Sequence, residues 1–365
     1  MIVERLELVD YRNYESATFE LTAGTTVVVG DNGQGKTNFA EALAYLASLS
    51  SFRGAPADAL VRVGASIAIV RASLRDDDGR ESLIEAELVP TGRGRVQVNR
   101  QRLARTRDLL GVLRVTVFSP DDLVLVKGGP GDRRRFMDTA LVDLAVKYDA
   151  LRLELDRIVK QRNTLLRQIG GLRQVGGRLD GDAAFTLDVW DAKLTDTGEQ
   201  FGRARSALVE QSRPHVAAAY AELAGRPTPI DMVYDPPWRS GGLASALTAA
   251  RTDDLRRSVS TVGPHRDELE LRIAGLPART HASQGEQRTL ALALRLGVHR
   301  LVADRTGSTP VLVLDDVLSE LDAHRATALL GSLPTGQIVI TTAGLIPPAA
   351  SPDRIIRIAD GAVVA

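Results

Sequence analysis

The sequence predicts an α/β protein, a mixed sheet with flanking helices, interrupted by an α-helical hairpin arm. Three observations predict it. A Gly-rich loop stands between the apolar run Val27-Val28-Val29 and a helical pattern from Thr37 to Leu49. A second apolar run, Val311 to Leu314, ends in the paired acids Asp315-Asp316. Between them, two long stretches space their apolar residues three and four apart. With 365 residues the chain holds one large domain or two ordinary ones. The predicted division is a discontinuous head, residues 1–120 and 255–365, around an arm, residues 121–254.

The elements follow in order. Val3, Leu6 and Leu8, then Phe19 and Leu21, mark two strands about a turn, and Val27 to Val29 a third. Phe39, Leu43 and Leu46 lie on one face of the helix after the loop. Strand patterns return at Ile67–Val70, Leu83–Val89, Val96–Val98 and Val115–Phe118, with Gly, Asp and Arg clusters between them as turns. Leu141, Leu144, Tyr148, Leu151, Leu155, Ile158, Leu165, Ile169 and Leu172 then keep heptad spacing, broken at Arg162. One helix of about 35 residues, roughly 50 Å long, is expected. Five glycines within residues 170–181 turn the chain into a second helix through Leu187, Trp190, Leu194, Phe201, Ala204 and Leu208, which Pro214 kinks or ends. Such stripes are helix packing and carry no chemistry of their own. After a Pro-rich patch, a helix from Gln287 to Val302 feeds the strand at Val311, and a strand from Gln337 to Thr341 follows. Pro347 to Pro352 reads as a linker and Asp360-Gly361 as the turn of a last hairpin.

Composition narrows the function. The 46 Lys and Arg balance 46 Asp and Glu, so any binding to DNA or a membrane surface comes from local patches. Of the basic residues only five are Lys, a compositional bias without functional content. With no cysteine, the chain has no disulfide, no Cys-ligated metal and no thiol nucleophile. No signal-peptide core opens the sequence and no apolar run approaches the ~20 residues that span a bilayer. A cytoplasmic protein is expected.

Gly30-Asp31-Asn32-Gly33-Gln34-Gly35-Lys36-Thr37 fits G-x-x-x-x-G-K-[ST] between a strand and a helix. Average composition makes a chance match in such a length on the order of one in a hundred. The loop wraps backbone N–H groups around phosphate oxygens, Lys36 reaches the β- and γ-phosphates, and Thr37 ligates Mg²⁺. The second carboxylate such a metal needs is Asp315, with Asp316 placed to orient or deprotonate the attacking water. ATP and Mg²⁺ are therefore the expected cofactors, with Lys36 and Asp316 as catalytic residues. Ser283-Gln284-Gly285-Glu286 opens the helix before the Asp315 strand; alone it reads as a capping box. In order with Ser319-Glu320-Leu321-Asp322, it resembles the signature of ATP-binding-cassette (ABC) ATPases. The fold class thus becomes an ABC-type P-loop ATPase head plus the helical hairpin arm. The resemblance implies that Ser283 and Gly285 contact the γ-phosphate of a second subunit.

Three further strings narrow the resemblance. Pro120-Asp121 through Gly128-Gly129-Pro130 to Asp138, then Gly263-Pro264-His265-Arg266-Asp267, and Tyr11-Arg12-Asn13-Tyr14 resemble signatures of the bacterial RecF family of recombination mediators. The match runs in order from residue 11 to about 330. It implies heads that dimerise on ATP, bind duplex DNA beside gaps, and assist RecO and RecR in loading RecA where single-strand-binding protein coats DNA, in gap repair, replication restart and the SOS response. Slow, DNA-stimulated ATP hydrolysis goes with this. The chain departs from the general cassette pattern in three places: Asp316 stands where Glu is common, no Gln lies in Pro120 to Leu123, and Thr341-Thr342 stand where a switch His is common. Arg12 is placed to reach the phosphates, and His265 and Arg266 near the nucleotide or the head–arm junction, with a core role for His265 as the alternative.

Two basic runs contain no acid. Arg93, Arg95, Arg100, Arg102, Arg105 and Arg107 form one; Arg157, Lys160, Arg162, Arg167, Arg173 and Arg178 form the other. Such runs neutralise phosphates by counterion release, and the scarcity of aromatics argues against base stacking. The alternatives are the motor subunit of a membrane transporter, a long-armed coiled-coil repair ATPase and a small-molecule P-loop enzyme. The 247 positions from Lys36 to Ser283 are too many for a compact motor and too few for a long arm. No second pocket of converging polar residues favours a small-molecule enzyme.

Overall fold

The computed structural model describes residues 1–364 other than 77, 93, 175–180 and 345. Arg93, Arg178 and Gly176-Gly177 of the predicted turn lie outside the described residues. The chain runs through β1 (Ile2–Tyr11), β2 (Tyr14–Glu20), β3 (Thr25–Val29), α1 (Lys36–Ser48) and the short α2 (Ala57–Leu60). It continues through β4 (Ala68–Arg75), β5 (Glu81–Leu88), β6 (Arg95–Val98), β7 (Gln101–Arg102) and β8 (Val115–Phe118). Helices α3 (Val124–Lys127), α4 (Pro130–Leu144), α5 (Lys147–Gln174) and α6 (Gly181–Ala224) follow, then β9 (Ile230–Val233), α7 (Leu243–Arg257), β10 (Glu270–Ile273) and β11 (Leu276–Pro277). Last come α8 (Ala278–His281), α9 (Gln284–Thr306), β12 (Val311–Asp315), α10 (Ala323–Gly331), β13 (Ile338–Thr342), β14 (Arg354–Ala359) and β15 (Ala362–Val364).

The chain divides into two compact units: Met1–Leu123 with His215–Thr228 and Arg288–Ala365, and Val124–Pro214 with Pro229–Gln287. These boundaries differ from the predicted ones. Residues 255–287 group with the helical unit because β10 pairs along its length with β9, Glu270 opposite Val233 and Ile273 opposite Ile230. Residues 215–228 group with the head, where Val216 packs against Gly297 of α9 so closely that a Cβ there would meet it at 2.5 Å.

In the first unit two six-stranded sheets enclose α1. One is antiparallel, in the order β2-β1-β4-β5-β6-β7; the other, β15-β14-β3-β13-β12-β8, is parallel except for its edge strand β15. Covered on both faces, β12 and β13 are buried at every position, which is why they read as continuous apolar runs. Strand β1 instead alternates and turns Val3, Leu6 and Leu8 inward. Phe39, Leu43 and Leu46 of α1 join Leu6, Leu8, Val70 and Ile84 of one sheet and Val28, Val313 and Val339 of the other in one core. Phe19 packs on Phe39 at 4.6 Å between ring centres, the rings tilted by 51°. The helix that follows the Gly-rich loop is thereby fixed by burial along its whole length.

The second unit corrects three helical expectations. The long first helix is two, because Ala145 is extended (φ −159°, ψ 123°) between α4 and α5. No Pro or Gly marks that break. Pro214 does not end α6, which continues to Ala224 with the proline inside it. The buried seam of α5 takes Leu166 and not Leu165, and it includes Arg162 at 0% exposure. Leu166 and Ile169 pack with Leu187 of α6 and Leu255 of α7, so a third helix completes the hairpin's core. Among the described residues no helix is long and apolar enough to cross a membrane.

Candidate nucleotide-binding site

Strand β3 delivers the chain at Gly30 and α1 begins at Lys36, so the six residues between must turn within a small space. Glycines make this possible at two positions. A Cβ on Gly30 would lie 2.4 Å from the carbonyl oxygen of Ile358 in β14. Gly35 has φ +116°, and its Cβ would lie 2.7 Å from the Tyr14 hydroxyl. The first turn of α1 has neither a side-chain cap bond nor an acid among the described residues, which leaves its N–H groups and dipole for an anion. Asp31, Asn32 and Gly33 are exposed at the loop's tip. Lys36 Nζ donates to the carbonyls of Gly30 and Asp31, both at 2.8 Å, so its charge lies across the mouth of the loop.

Two distant turns brace this loop; sequence reasoning placed Arg12 of the first near the phosphates but foresaw neither turn's bonds to the loop. From the β1–β2 turn, Asn13 Nδ2 donates to the Gln34 carbonyl at 3.0 Å and the Tyr14 hydroxyl to the Gly35 carbonyl at 2.8 Å. From the β14–β15 turn, the Asp360 amide donates to Gln34 Oε1. Gly361, at φ +70°, passes so close to Asn13 that a Cβ would lie 2.4 Å from the Asn13 carbonyl oxygen. The available signals were the Tyr11–Tyr14 string and the Asp360-Gly361 pair, but only the folded sheets bring both to the loop.

Beside the loop, β12 presents its acids. The Asp315 carboxylate is 3% exposed, and its Oδ1 accepts from Thr37 Oγ1 at 3.2 Å and from Thr341 Oγ1 at 2.7 Å. Burial pushes this carboxyl above the usual carboxylate range, and the two hydroxyl donors oppose that. Asp316 sits in left-handed backbone (φ 53°, ψ 19°), and its Oδ1 is buried with no partner among the described residues. A hard divalent cation fits this donor set of hydroxyl and carboxylate oxygens. No cluster of three or more His, Cys, Asp or Glu able to hold a metal occurs among the described residues. A cation here would complete its shell with phosphate and water.

The remaining expectations fall in different places. Arg12 is committed to the fully buried Glu41 on α1, Nε at 2.7 Å and NH2 at 2.8 Å, and to the Ala59 carbonyl. Ser283 caps α9: its Oγ accepts from the Glu286 amide at 3.3 Å, and Glu286 Oε2 accepts from the Ser283 amide and hydroxyl at 2.9 and 2.8 Å. Ser283 and Gly285 belong to the second unit. Where a Gln was missing, Asp122 accepts from the Ser119 amide and from Arg295 of α9 at 2.7 Å. His265 lies in the second unit, its Nε2 3.1 Å from the Ser260 carbonyl, and burial lowers it to about 4. It is half-buried, and desolvation favours its neutral form.

Of the basic residues, Arg162 is corrected. It is buried, its Nε donating to Asp191 at 2.6 Å and its NH1 to Asp254 at 2.6 Å and Ser260 at 2.8 Å, so it is not available to DNA. Arg95 pairs with Glu87 across β5 and β6, and Arg157 with Glu154 one turn earlier. Arg100, Arg102, Arg105, Lys160 and Arg167 are exposed, and Arg107 is half-buried.

A family model, the RecF/RecN/SMC N terminal domain, matches residues 2–346. The DNA replication and repair protein RecF of Frankia alni is 44% identical over 361 residues, 94% of this chain and 93% of its own. That of Streptomyces avermitilis is 42% identical over 354 residues, 94% of each. The chain belongs to the RecF family. Its structure is similar to that of the recombination mediator protein RecF with ATP in the RecFOR pathway, at a TM-score of 0.89 and 29% identity, covering 99% of this chain and 96% of that one. The Smc head domain of Pyrococcus furiosus shares the fold at 0.58 and 18%. RecF relatives thus take the place of the transporter-motor alternative.

Two of the RecF strings quoted above prove to be one network inside the second unit. Arg133 donates to Glu268 at 2.7 and 2.9 Å, and Arg134 to the Asp267 carbonyl at 2.7 Å. Arg205 of α6 joins Asp138 to the Pro264 carbonyl, and the Asp267 carboxylate accepts from Trp238 Nε1 at 2.7 Å and from Tyr234. Bidentate Arg–carboxylate pairs such as Arg133–Glu268 and Arg205–Asp138 add geometric specificity as well as energy.

Proposed function

We propose that this chain is an ATP-dependent, DNA-binding recombination mediator. It dimerises on ATP, binds duplex DNA next to single-stranded gaps, and assists RecO and RecR in loading RecA in the cytoplasm, with slow ATP hydrolysis that DNA stimulates. The observation that carries the reading is the convergence of Lys36, Thr37, Asp315 and Asp316 in a chain that is like RecF with ATP over its whole length. The RecFOR pathway named for that protein supports the choice of partners.

The residues have distinct tasks in this reading. Loop amides from Asn32 to Thr37 hold the β-phosphate, and Lys36 exchanges the Gly30 and Asp31 carbonyls for β- and γ-phosphate oxygens. Thr37 and Asp315 would hold Mg²⁺, which neutralises phosphate charge. Asp316 orients water and takes its proton at Oδ1; one methylene shorter than Glu, it gives slow turnover. Ser283 Oγ exchanges Glu286 for the γ-phosphate bound in a partner subunit, and Gly285 lets backbone approach it, so ATP joins two heads. Arg12 serves the phosphates in this scheme by supporting α1 through Glu41. Arg100, Arg102, Arg105 and Lys160 contact the DNA backbone, with Arg95, Arg107 and Arg157 beside them.

The test is fluorescence anisotropy of a gapped duplex at fixed salt, with ATP, ADP or no nucleotide. Binding that tightens with ATP and is lost in Lys36→Met is the expected result. Binding indifferent to nucleotide would separate the ATPase head from DNA and sink the ATP-gated reading.

A further inference from the structure

Thr341, the next-to-last residue of β13, is fully buried. Its hydroxyl works in two directions. Oγ1 donates to Asp315 Oδ1 at 2.7 Å and accepts from the Asp316 amide at 3.0 Å. The same amide also reaches the Thr341 carbonyl oxygen at 3.2 Å. A hydroxyl has one proton to give, so donation to the carboxylate leaves only lone pairs for the amide, and the polarity of the bridge is fixed.

Each bond restrains a different acid. On Asp315, the Thr341 hydroxyl and the Thr37 hydroxyl converge on one oxygen, Oδ1, which restrains the carboxylate. On Asp316, the amide bonds hold a left-handed backbone (φ 53°) that a residue with a Cβ occupies only at a cost. That conformation decides where the Asp316 carboxylate goes, and its Oδ1 ends buried without a partner among the described residues.

We propose that Thr341 is the positioning residue of this site, setting the metal-side acid through its proton and the water-side acid through its lone pair. The inference rests on reading the site as an ATPase. A residue of β13, 26 and 25 positions after the two acids, thus joins them.

Four full-length proteins test it: wild type, Thr341→Ser, Thr341→Val and Thr341→Ala. Two quantities are read in each, the affinity for a fluorescent ATP analogue across a Mg²⁺ titration and the single-turnover rate of ATP hydrolysis. Losing a hydrogen bond to a charged group predicts a rate lower by about ten- to a hundredfold in the Val and Ala proteins. Their tight analogue binding shifts to higher Mg²⁺, and Ser stays within about threefold of wild type. A packing role predicts the reverse order, because Val keeps the volume and the β-branch that Ser loses. Val equal to wild type, or Ser as impaired as Ala, overturns the proposal; should the Val protein not fold, Ala against Ser decides alone. Failure of the ATPase reading is separate: it shows as a wild type that does not bind the analogue, or as Lys36→Met binding it equally well.

Discussion

At the scale of single residues, Arg162 shows how much burial changes a side chain's meaning. A guanidinium in a basic run is a phosphate contact only while it faces water. Here it is enclosed between Asp254, which is fully buried with it, and Asp191, which Arg251 also pairs at 3.2 Å. Removing it leaves the fully buried Asp254 without its ion-pair partner, and breaking a buried pair of this kind costs about 3–5 kcal/mol. Arg162→Met is therefore expected to lower the urea midpoint sharply while the folded fraction binds DNA as the wild type does. Lys160→Ala, two residues earlier and exposed, should do the opposite: unchanged urea midpoint, weaker DNA binding and a shallower dependence on salt. Equal effects of the two substitutions on DNA affinity would contradict the assignment.

At the scale of elements, the phosphate loop depends on turns from two different sheets. The β14–β15 hairpin approaches Asn13 at Gly361, and Asn13 in turn holds Gln34. Gly361→Ala puts a Cβ into the Asn13 carbonyl and asks alanine to adopt φ +70°. Strain of this kind costs on the order of 1–3 kcal/mol. Part of that should appear as weaker ATP binding, with no residue of the loop itself changed. Calorimetric titration with ATP checks it, and an unaltered affinity would mean that the hairpin merely lies beside the loop. The break between α4 and α5 belongs to this scale too. Nothing at Ala145-Val146 forbids a helix locally, and Asp149 in the first turn of α5 is the residue that suits a helix start.

At the scale of the whole molecule, two predictions concern pH and assembly. Burial lowers His265 and His299 from about 6.5 to about 4 in the folded protein. Their folded values lie below their unfolded ones, so the unfolded chain binds more protons as the pH falls. Their contribution is complete above pH 6.5 and is lost progressively between 6.5 and 4. Burial raises Asp138 and Asp267, which act in the opposite sense nearer the carboxylate range. Urea midpoints should therefore drop from pH 7.5 to pH 5, and less steeply in a His265→Gln, His299→Gln double variant. For assembly, Ser283→Arg should leave ATP binding by the monomer intact and abolish the ATP-bound dimer, as read by light scattering with and without ATP. A dimer of wild-type strength would refute a contact from Ser283 across subunits.

Local chemistry by itself determined the phosphate loop, the acid-tipped strand, the capping box at Ser283 and most of the strands. Each depends on the spacing of residues close in sequence, through backbone geometry, apolar periodicity or a reach of three residues. The family strings were legible too, as identities without a mechanism. Only tertiary structure decided that Arg133 and Glu268 are partners, that Asn13 and Asp360 brace the phosphate loop, that Thr341 joins the two acids and that Arg162 lies inside. Those outcomes are contacts between residues 21 to more than 300 positions apart. A burial or a bond made at such separation depends on how sheets and helices stack, and the pattern of neighbouring residues does not record it.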